Sequence, residues 1–356
     1  MNVWGNRIKV SIFGESHGGG IGAVVDGIPS GLMFDTEFIK SEMKRRAPGR
    51  NRLSTPRKEA DEVEILSGVF DGYTTGTPIC GIIRNTNTRS QDYTPELIRP
   101  GHADYTGFMR YGKTHDFRGG GHFSGRITAA LVFAGAIAKL ALKERGVTIG
   151  SHIKRIGSVT EKTFLETEIN TETLVQLGKK EFPVLDDAAG EKMQSLILDT
   201  AADKNSVGGI IECAAVGVPT GVGAPFFAPL ESLISSIMFS IPAVKGIEFG
   251  RGFEFAEICG DEANDEFRTD GEKIYTATNN NGGINGGISN GMPIIFSVAV
   301  KPTPSIAKPQ KTVDIKKMEN TTIEIKGRHD PCIVQRAAVV VECCTALAIL
   351  EGILFD

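Results

Sequence analysis

The chain lacks the features that mark several classes of protein. No proline- or serine-rich or charged spacer interrupts its 356 residues, so we expect one large domain or two without a true linker, and we predict a single domain over residues 1–356. The net charge of −4 argues against nucleic acid or an anionic membrane as a partner. No apolar run reaches bilayer length, and the opening residues hold no signal-peptide apolar region. We therefore expect a soluble, cytoplasmic protein.

The sequence also lacks the cysteine spacings that are typical of redox and metal sites. The six cysteines form no CxxC pair and no Cys/His spacing typical of a bound metal, and most lie in apolar contexts. We predict buried free thiols and no metal site. The residues concerned are Cys80, Cys213, Cys259, Cys332, Cys343 and Cys344.

Short apolar segments bounded by glycine or proline predict strands, and apolar periodicity predicts helices. The predicted strands are Ile8–Phe13, Ile21–Ile28, Val63–Phe70, Pro78–Arg84, Val207–Val218 and Pro293–Val300. The predicted helices are 36–46, 126–145, 188–203, 230–240 and 332–352. Segments 127–142 and 333–350 are apolar on nearly every face, which indicates helices buried on most sides.

These elements predict an α+β fold: a β-α-β sandwich with a central layer of buried helices covered by antiparallel sheets. A mixed α/β sandwich is the alternative. Residues 151–205 are rich in Lys, Glu and Thr, so we predict a more solvated excursion there.

Chemistry-bearing residues concentrate between Arg99 and Arg126. This segment holds three of the six histidines, four arginines and seven glycines. Glycine lets the backbone approach a ligand closely, arginine binds anions, and imidazole transfers protons near neutral pH. The segment predicts an active-site wall for an anionic substrate.

Two motif matches are misleading. Residues 107–114 satisfy GxxxxGK[ST], but neither a buried strand before them nor a helix after them is predicted. Residues 14–18 satisfy GxSxG, the nucleophile elbow, yet glycines and a second strand follow the serine where a serine hydrolase needs a helix.

A basic run and an Asn/Gly-rich run remain. Residues 44–58 carry seven basic residues and no acid, and no aromatic residue for base stacking. The run is either a solvated face or, with the later arginines, part of a site for a small polyanion. Residues 278–291 have five Gly and five Asn, which predict either a flexible loop or a backbone cradle for a phosphate or a flat cofactor. The later arginines are Arg84, Arg89, Arg99, Arg110, Arg118 and Arg126.

Three blocks resemble the chorismate synthase family over essentially the full length of the chain. They are FGESHGGGIGAVVDGIPSG (13–31), RPGHADYTGFMRYGKTHDFRGGGHFSGRITAALVFAGAIAK (99–139) and GRHDPCIVQRAAVVVECC (327–344). The resemblance implies elimination of phosphate and a ring hydrogen from 5-enolpyruvylshikimate 3-phosphate, giving chorismate. It also implies reduced FMN as a transient electron donor that is not consumed, NADPH as a possible reductant, and a homotetramer.

The resemblance also assigns roles. His17 serves the reduced flavin, His102 protonates the departing phosphate, and Asp330 takes part in removing the ring hydrogen, while Ser16 and Ser124 match active-site serines. Arg46 and Arg52 match positions that bind a nicotinamide dinucleotide phosphate or substrate. The matching FMN contacts are His122, Phe123, Ser124, Pro242, Ala243, Gly286, Lys301, Pro302, Thr303, Pro304, Ser305 and Arg328.

Several alternatives stay open. Asp330 precedes Pro331 at the entry to a predicted helix, where an aspartate can serve as an N-cap alone. His115 and His329 are possible catalysts by residue type, whereas His152 lies in a strand-like stretch and is interpreted as structural. A non-catalytic FMN- or phosphometabolite-binding protein is the rival function, and the GxSxG match taken alone would indicate a serine hydrolase. Whether the chain reduces its own flavin is not decided by the sequence.

Overall fold

A computed structural model describes residues 2–49, 51–54, 59–86, 94–325 and 329–354. Its helices are α1 Thr36–Arg46, α2 Asp104–Tyr111, α3 Thr128–Lys143, α4 Thr171–Lys179, α5 Asp187–Ala202, α6 Leu230–Met238, α7 Gly260–Ala263 and α8 Val334–Ile353. Its strands are β1 Val3–Trp4, β2 Lys9–Gly14, β3 Gly20–Asp26, β4 Glu64–Ser67, β5 Val69–Phe70, β6 Tyr73–Thr74, β7 Ile79–Arg84, β8 Thr148–Ile156, β9 Val159–Thr160, β10 Gly209–Val216, β11 Val244–Phe249, β12 Phe267–Thr269, β13 Ile274–Thr276, β14 Ile284–Asn285, β15 Ile288–Ser289, β16 Ile294–Val300, β17 Gln310–Asp314 and β18 Glu319–Ile323.

Two five-stranded sheets form the β part of the fold. The first has the order β1-β2-β3-β7-β4 and the second the order β11-β16-β10-β8-β9. Every pairing within them is antiparallel. Helices and antiparallel sheets together confirm the predicted α+β class.

Helices α3 and α8 pack against each other between elements of the two sheets. Strands β3 and β7 of the first sheet contact α3, and β8 and β10 of the second contact α8. Nearly every residue of both helices is buried, as their apolar sequences predict. The helices lie close together at Gly135, where an added Cβ would lie 2.3 Å from the Cβ of Cys343.

Four charged side chains meet where α1, α3 and α8 pack: two glutamates are buried, and an arginine and a lysine are half-buried. Arg45 donates to both carboxylate oxygens of Glu342, each at 2.7 Å. Lys139 bridges Glu42 at 2.5 Å and Glu342 at 2.6 Å. The two positive and two negative charges balance, which is the condition under which ions are tolerated in a protein interior.

Most predicted elements lie within two residues of their observed bounds, and the exceptions have local causes. The predicted strand Val63–Phe70 is broken into β4 and β5 by Gly68, whose φ is +86°. Helix α2 was not predicted, because the glycine-rich block around it hides a short helix with only Gly107 buried. The prediction of a solvated excursion over 151–205 stays a prediction; its first residues lie in β8.

The predictions on membrane spans and thiols also have outcomes. In the described part of the chain, Gly125–Lys143 is long and apolar enough to cross a bilayer, but 89% of that window is buried, as in a core helix. The six cysteines are free thiols; Cys80 is half-buried, Cys259 is exposed, and the other four are buried as predicted.

Candidate active site

A three-glycine loop brings His17 and His102 together. Gly119, Gly120 and Gly121 all have positive φ, between 54° and 85°. A Cβ at Gly119 would lie 2.5 Å from Nε2 of His17, and one at Gly120 would lie 3.2 Å from Nε2 of His102. Only glycine fits both the backbone conformation and the approach of the two imidazoles.

His102 is held by a carboxylate two residues further along. Its Nδ1 lies 2.6 Å from Oδ1 of Asp104 and 3.1 Å from Nη2 of Arg99. A carboxylate oxygen can only accept, and it lies closer to Nδ1 than the guanidinium does, so we assign the proton to Nδ1, which donates to Asp104. Burial would raise the pKa of Asp104, but hydrogen bonds from Arg99 and His102 hold it well below its usual range. The Nε2 atom of His102 is thereby directed toward the glycine loop.

Ser16 and His17 occupy the turn between β2 and β3. Gly18 N donates to Glu15 O at 3.1 Å and closes a β-turn with Ser16 and His17 at its centre. Ser16 N donates to Gly121 O at 3.1 Å. The Ser16 side chain is 1% exposed, and its Oγ has no hydrogen-bond partner among the described residues.

The segment from Lys301 to Ser305 lies beside the loop that carries His102. Lys301 Nζ donates to Gly101 O, and Arg99 Nη1 donates to Ser305 Oγ at 3.3 Å. Lys301 N donates to the carbonyl of Ala243, a residue with φ of +76°. The Thr303 Oγ1 atom is buried without a hydrogen-bond partner in the described structure. Predicted flavin contacts that are distant in sequence therefore meet next to His102.

Residues 122–124 continue from the glycine loop. The exposed His122 donates from Nδ1 to Gly14 O at 2.8 Å, since a carbonyl can only accept. Phe123 packs edge-on against His115, with ring centroids 5.5 Å apart. Ser124 Oγ accepts from Arg126 N at 3.3 Å and lies close to Gly120.

Two arginines of the basic run from Lys44 to Lys58, Arg45 and Arg46, are paired with carboxylates and do not form a solvated face. Arg46 is 1% exposed, and its Nη2 lies 2.6 Å from Oδ2 of Asp61. Asp61 also pairs with Arg126, whose pKa is lowered mainly by burial. Arg45 belongs to the buried cluster with Glu342. The pairing partners lie elsewhere in the sequence, which is why the run contains no acid. A ligand contact of Arg46 stays a prediction.

Asp330 does not cap the helix that follows it. Helix α8 begins at Val334, and its N-cap residue is Ile333, which makes no side-chain cap. The N-cap alternative is therefore wrong. Oδ2 of Asp330 instead lies 2.6 Å from Nη1 of Arg336, and Arg336 Nε donates to Arg46 O at 3.0 Å. The first turn of α8 thus ties Asp330 to the end of α1.

Two predicted contacts, Gly286 and Arg52, lie at exposed positions. Gly286 is exposed in the β14–β15 turn, and an added Cβ at the neighbouring Gly287 would meet Pro229 and Ala224. Arg52 is exposed, and Arg328 lies outside the described residues. Within the run 278–291, residues 284–289 form the β14–β15 hairpin, which turns at Gly286 and Gly287.

The other candidates have clear positions. His152 is completely buried in β8 between Glu161 and Glu212, in agreement with its structural interpretation.

The GxSxG serine is followed by β3, and the GxxxxGK[ST] match begins inside α2, so both matches are misleading as predicted. The sequence reasoning missed Asp61, Asn85 and Asp104; for Asp104 the available signal was a carboxylate two residues from His102.

One glycine loop is bordered by two imidazoles and a buried hydroxyl, with cationic side chains nearby. This arrangement suits an enzyme site for a small anionic compound. A family model described as "Chorismate synthase" matches residues 8–354. The chorismate synthase of Dehalococcoides mccartyi strain BAV1 is 44% identical over 352 residues, covering 98% of this chain and 96% of the relative. That of Methanobrevibacter smithii is 46% identical over 355 residues, covering 98% and 95%.

A solved structure described as "Crystal Structure of Chorismate Synthase" matches the fold with a TM-score of 0.78 at 31% identity, covering 99% of this chain and 93% of that one. The chain belongs to the chorismate synthase family. The family predicted from the three sequence blocks is confirmed, and with it the prediction of an enzyme, since the family consists of lyases that act on a phosphate ester.

Proposed function

We propose that this chain eliminates phosphate from 5-enolpyruvylshikimate 3-phosphate to form chorismate, at a site that binds reduced FMN. The observation that carries the proposal is the meeting of His17 and His102 at the loop Gly119–Gly121, in a chain of this family. The substrate bears two carboxylates and a phosphate, which suits a site bordered by Arg99 and Lys301.

The residues present fit a flavin phosphate. Buried hydroxyls of Ser16 and Thr303 have no partner among the described residues, so each is available to a polar ligand edge. The glycine loop leaves open the space that side chains would fill. Bound FMN in its reduced state would supply the electron density that phosphate departure needs, without net oxidation. The proposed contacts are His122, Phe123, Ser124, Pro242, Ala243, Gly286, Lys301, Pro302, Thr303, Pro304, Ser305 and Arg328.

His102 is the proposed proton donor to the departing phosphate. Asp104 is its positioning residue, because its carboxylate accepts a hydrogen bond from Nδ1 and leaves Nε2 as the atom from which a proton would be transferred. Arg99 fixes the carboxylate in turn, with Nε and Nη2 each 2.7 Å from an oxygen of Asp104.

His17 is the proposed proton partner of the flavin site, with Ser16 and Ser124 beside it. Asp330 is the proposed acceptor in removal of the ring hydrogen, and the ion pair with Arg336 orients its carboxylate. Arg46 and Arg52 are proposed for binding substrate or NADPH, and the buried pairing of Arg46 with Asp61 makes Arg52 the more accessible of the two.

Assembly and location follow the same proposal. Large exposed apolar side chains, among them Phe226 at 88% and Phe227 at 99% exposure, are easier to reconcile with a homotetramer than with a monomer. The pair α3 and α8 is proposed as the central layer of a β-α-β sandwich, in a cytoplasmic enzyme.

Anaerobic phosphate release from the substrate with reduced FMN tests the proposal against a non-catalytic binding protein. We expect release by the wild type, and a loss of about 10²–10⁴ in rate for His102→Ala and for His17→Ala, the usual contribution of a positioned acid. Binding of FMN and substrate without phosphate release would favour the binding protein. An active double variant would exclude both histidine assignments.

A further inference from the structure

Asn85 lies at the end of β7, beside the turn that carries Ser16 and His17. Strand β7 pairs with β3, with Arg84 opposite Gly20, so the residue after Arg84 faces the β2–β3 turn. The Asn85 Nδ2 atom donates to Glu15 O at 2.9 Å and to Gly18 O at 3.0 Å. These carbonyls belong to the first and last residues of the turn, so one amide group spans it.

The amide can point only one way. Arg126 Nε donates to Asn85 Oδ1 at 3.1 Å, which fixes Oδ1 toward the arginine and Nδ2 toward the turn. Arg126 is itself 5% exposed and paired with Asp61. The orientation of the Asn85 amide is therefore set by the protein interior.

We propose that Asn85 is a positioning residue for His17, because its amide donates hydrogen bonds to both ends of the turn and so fixes where the imidazole lies. The proposal rests on the proposed function for the role of His17 in the reaction. An asparagine is required, since the site needs one acceptor and two donor protons on a short planar group. Aspartate has the same shape but would place a carboxylate oxygen against two carbonyl oxygens.

The first test uses the protein without flavin or substrate. Hydrogen–deuterium exchange is measured on peptides covering residues 14–20 in wild type, Asn85→Asp and Asn85→Ala. We expect the Gly18 amide to exchange about tenfold faster in both variants, because the turn opens more often once the two hydrogen bonds from Asn85 are lost. Unchanged exchange in this peptide would overturn the proposal.

The chain offers a matched control in Asn280. Its Nδ2 donates to Glu262 O and Ala263 O, each at 3.2 Å, and its Oδ1 accepts from Arg251 Nε at 2.8 Å. Asn280→Asp therefore loses the same set of bonds away from the histidines. It should speed exchange around residues 259–265 and leave residues 14–20 unchanged.

A double-mutant cycle tests whether Asn85 acts through His17. Asn85→Asp should lower kcat for phosphate release about tenfold with little change in KM, since misplacement of a reacting group affects the chemical step. In the His17→Ala background the same substitution should cost less than about twofold, because coupled residues are not additive.

Each outcome bears on one claim. A full tenfold loss in the His17→Ala background would show a general structural role and overturn the proposal. Failure of both Asn85 variants to fold would also contradict it, since it assigns Asn85 to the turn and not to the core. Absence of phosphate release in the wild type would instead refute the proposed function, and the exchange measurement would still decide the role of Asn85.

Discussion

Replacing Asp104 by asparagine tests whether a carboxylate makes His102 a proton donor. The Asp104 carboxylate accepts from Arg99 N at 3.0 Å, Arg99 Nε at 2.7 Å, Arg99 Nη2 at 2.7 Å and His102 Nδ1 at 2.6 Å. In Asp104→Asn one oxygen becomes a donor, so about two of these charge-assisted bonds are lost. At about 1.5 kcal/mol each, they correspond to about 10² in rate if the transition state uses them fully.

The assay is kcat for phosphate release as a function of pH with reduced FMN. Asp104 is ionised throughout the working range because its pKa lies well below the usual value. The loss in kcat is therefore expected at every pH in that range. Asp265→Asn is the control, since Asp265 also accepts four hydrogen bonds but contacts no histidine in the described residues. A kcat within about threefold of wild type would refute the reasoning.

Four further predictions follow from the structure. Asp330→Asn should leave the melting temperature and reduced-FMN affinity near wild type while slowing phosphate release about 10²-fold, and normal turnover would exclude Asp330 as the acceptor. Glu342→Ala should cost about 3–5 kcal/mol in denaturant unfolding, because Arg45 and Lys139 then share Glu42 alone and one positive charge is left uncompensated; a loss under about 1 kcal/mol would contradict the charge network. Burial lowers the pKa of His152, but its hydrogen bonds with Glu161 and Glu212 raise this pKa overall. The protonated His152 therefore contributes fully to stability below the ordinary histidine pKa, and this contribution is lost as pH rises through the raised pKa. The unfolding free energy of His152→Gln should vary less with pH over that range, and equal slopes would contradict this. Light scattering at micromolar concentration should give a tetramer, and a monomer would count against the proposed assembly.

The sequence was sufficient for elements whose pattern is local. Helices α3 and α8 were predicted because almost every residue in them is apolar, and β2, β3 and β16 because β-branched runs end at glycine or proline. Strands β17 and β18 were missed, since their residues are half-exposed and pair mainly with each other.

The site was predictable in its residues but not in its pairings. Block 99–126 identified His102 and the glycine loop, yet the partner of Arg46 is Asp61, in a separate segment and at a φ of +53° that no local pattern indicates. Asp330 illustrates the same limit. Pro331 predicts a helix start there, but the chain stays irregular until Val334, so the carboxylate pairs with Arg336 and is not the N-cap of α8.

The most direct test of the central claim is to count products while following the redox state of the flavin. The enzyme is mixed anaerobically with substrate and a stoichiometric amount of chemically reduced FMN. Chorismate, phosphate and the flavin spectrum are recorded together. Parallel reactions contain NADPH with oxidised FMN, or oxidised FMN alone. The account predicts many molecules of chorismate and phosphate per flavin, a flavin that is still reduced at the end, and no product with oxidised FMN alone. Turnover at full rate with oxidised FMN and no reductant, or one flavin oxidised per product, would contradict it.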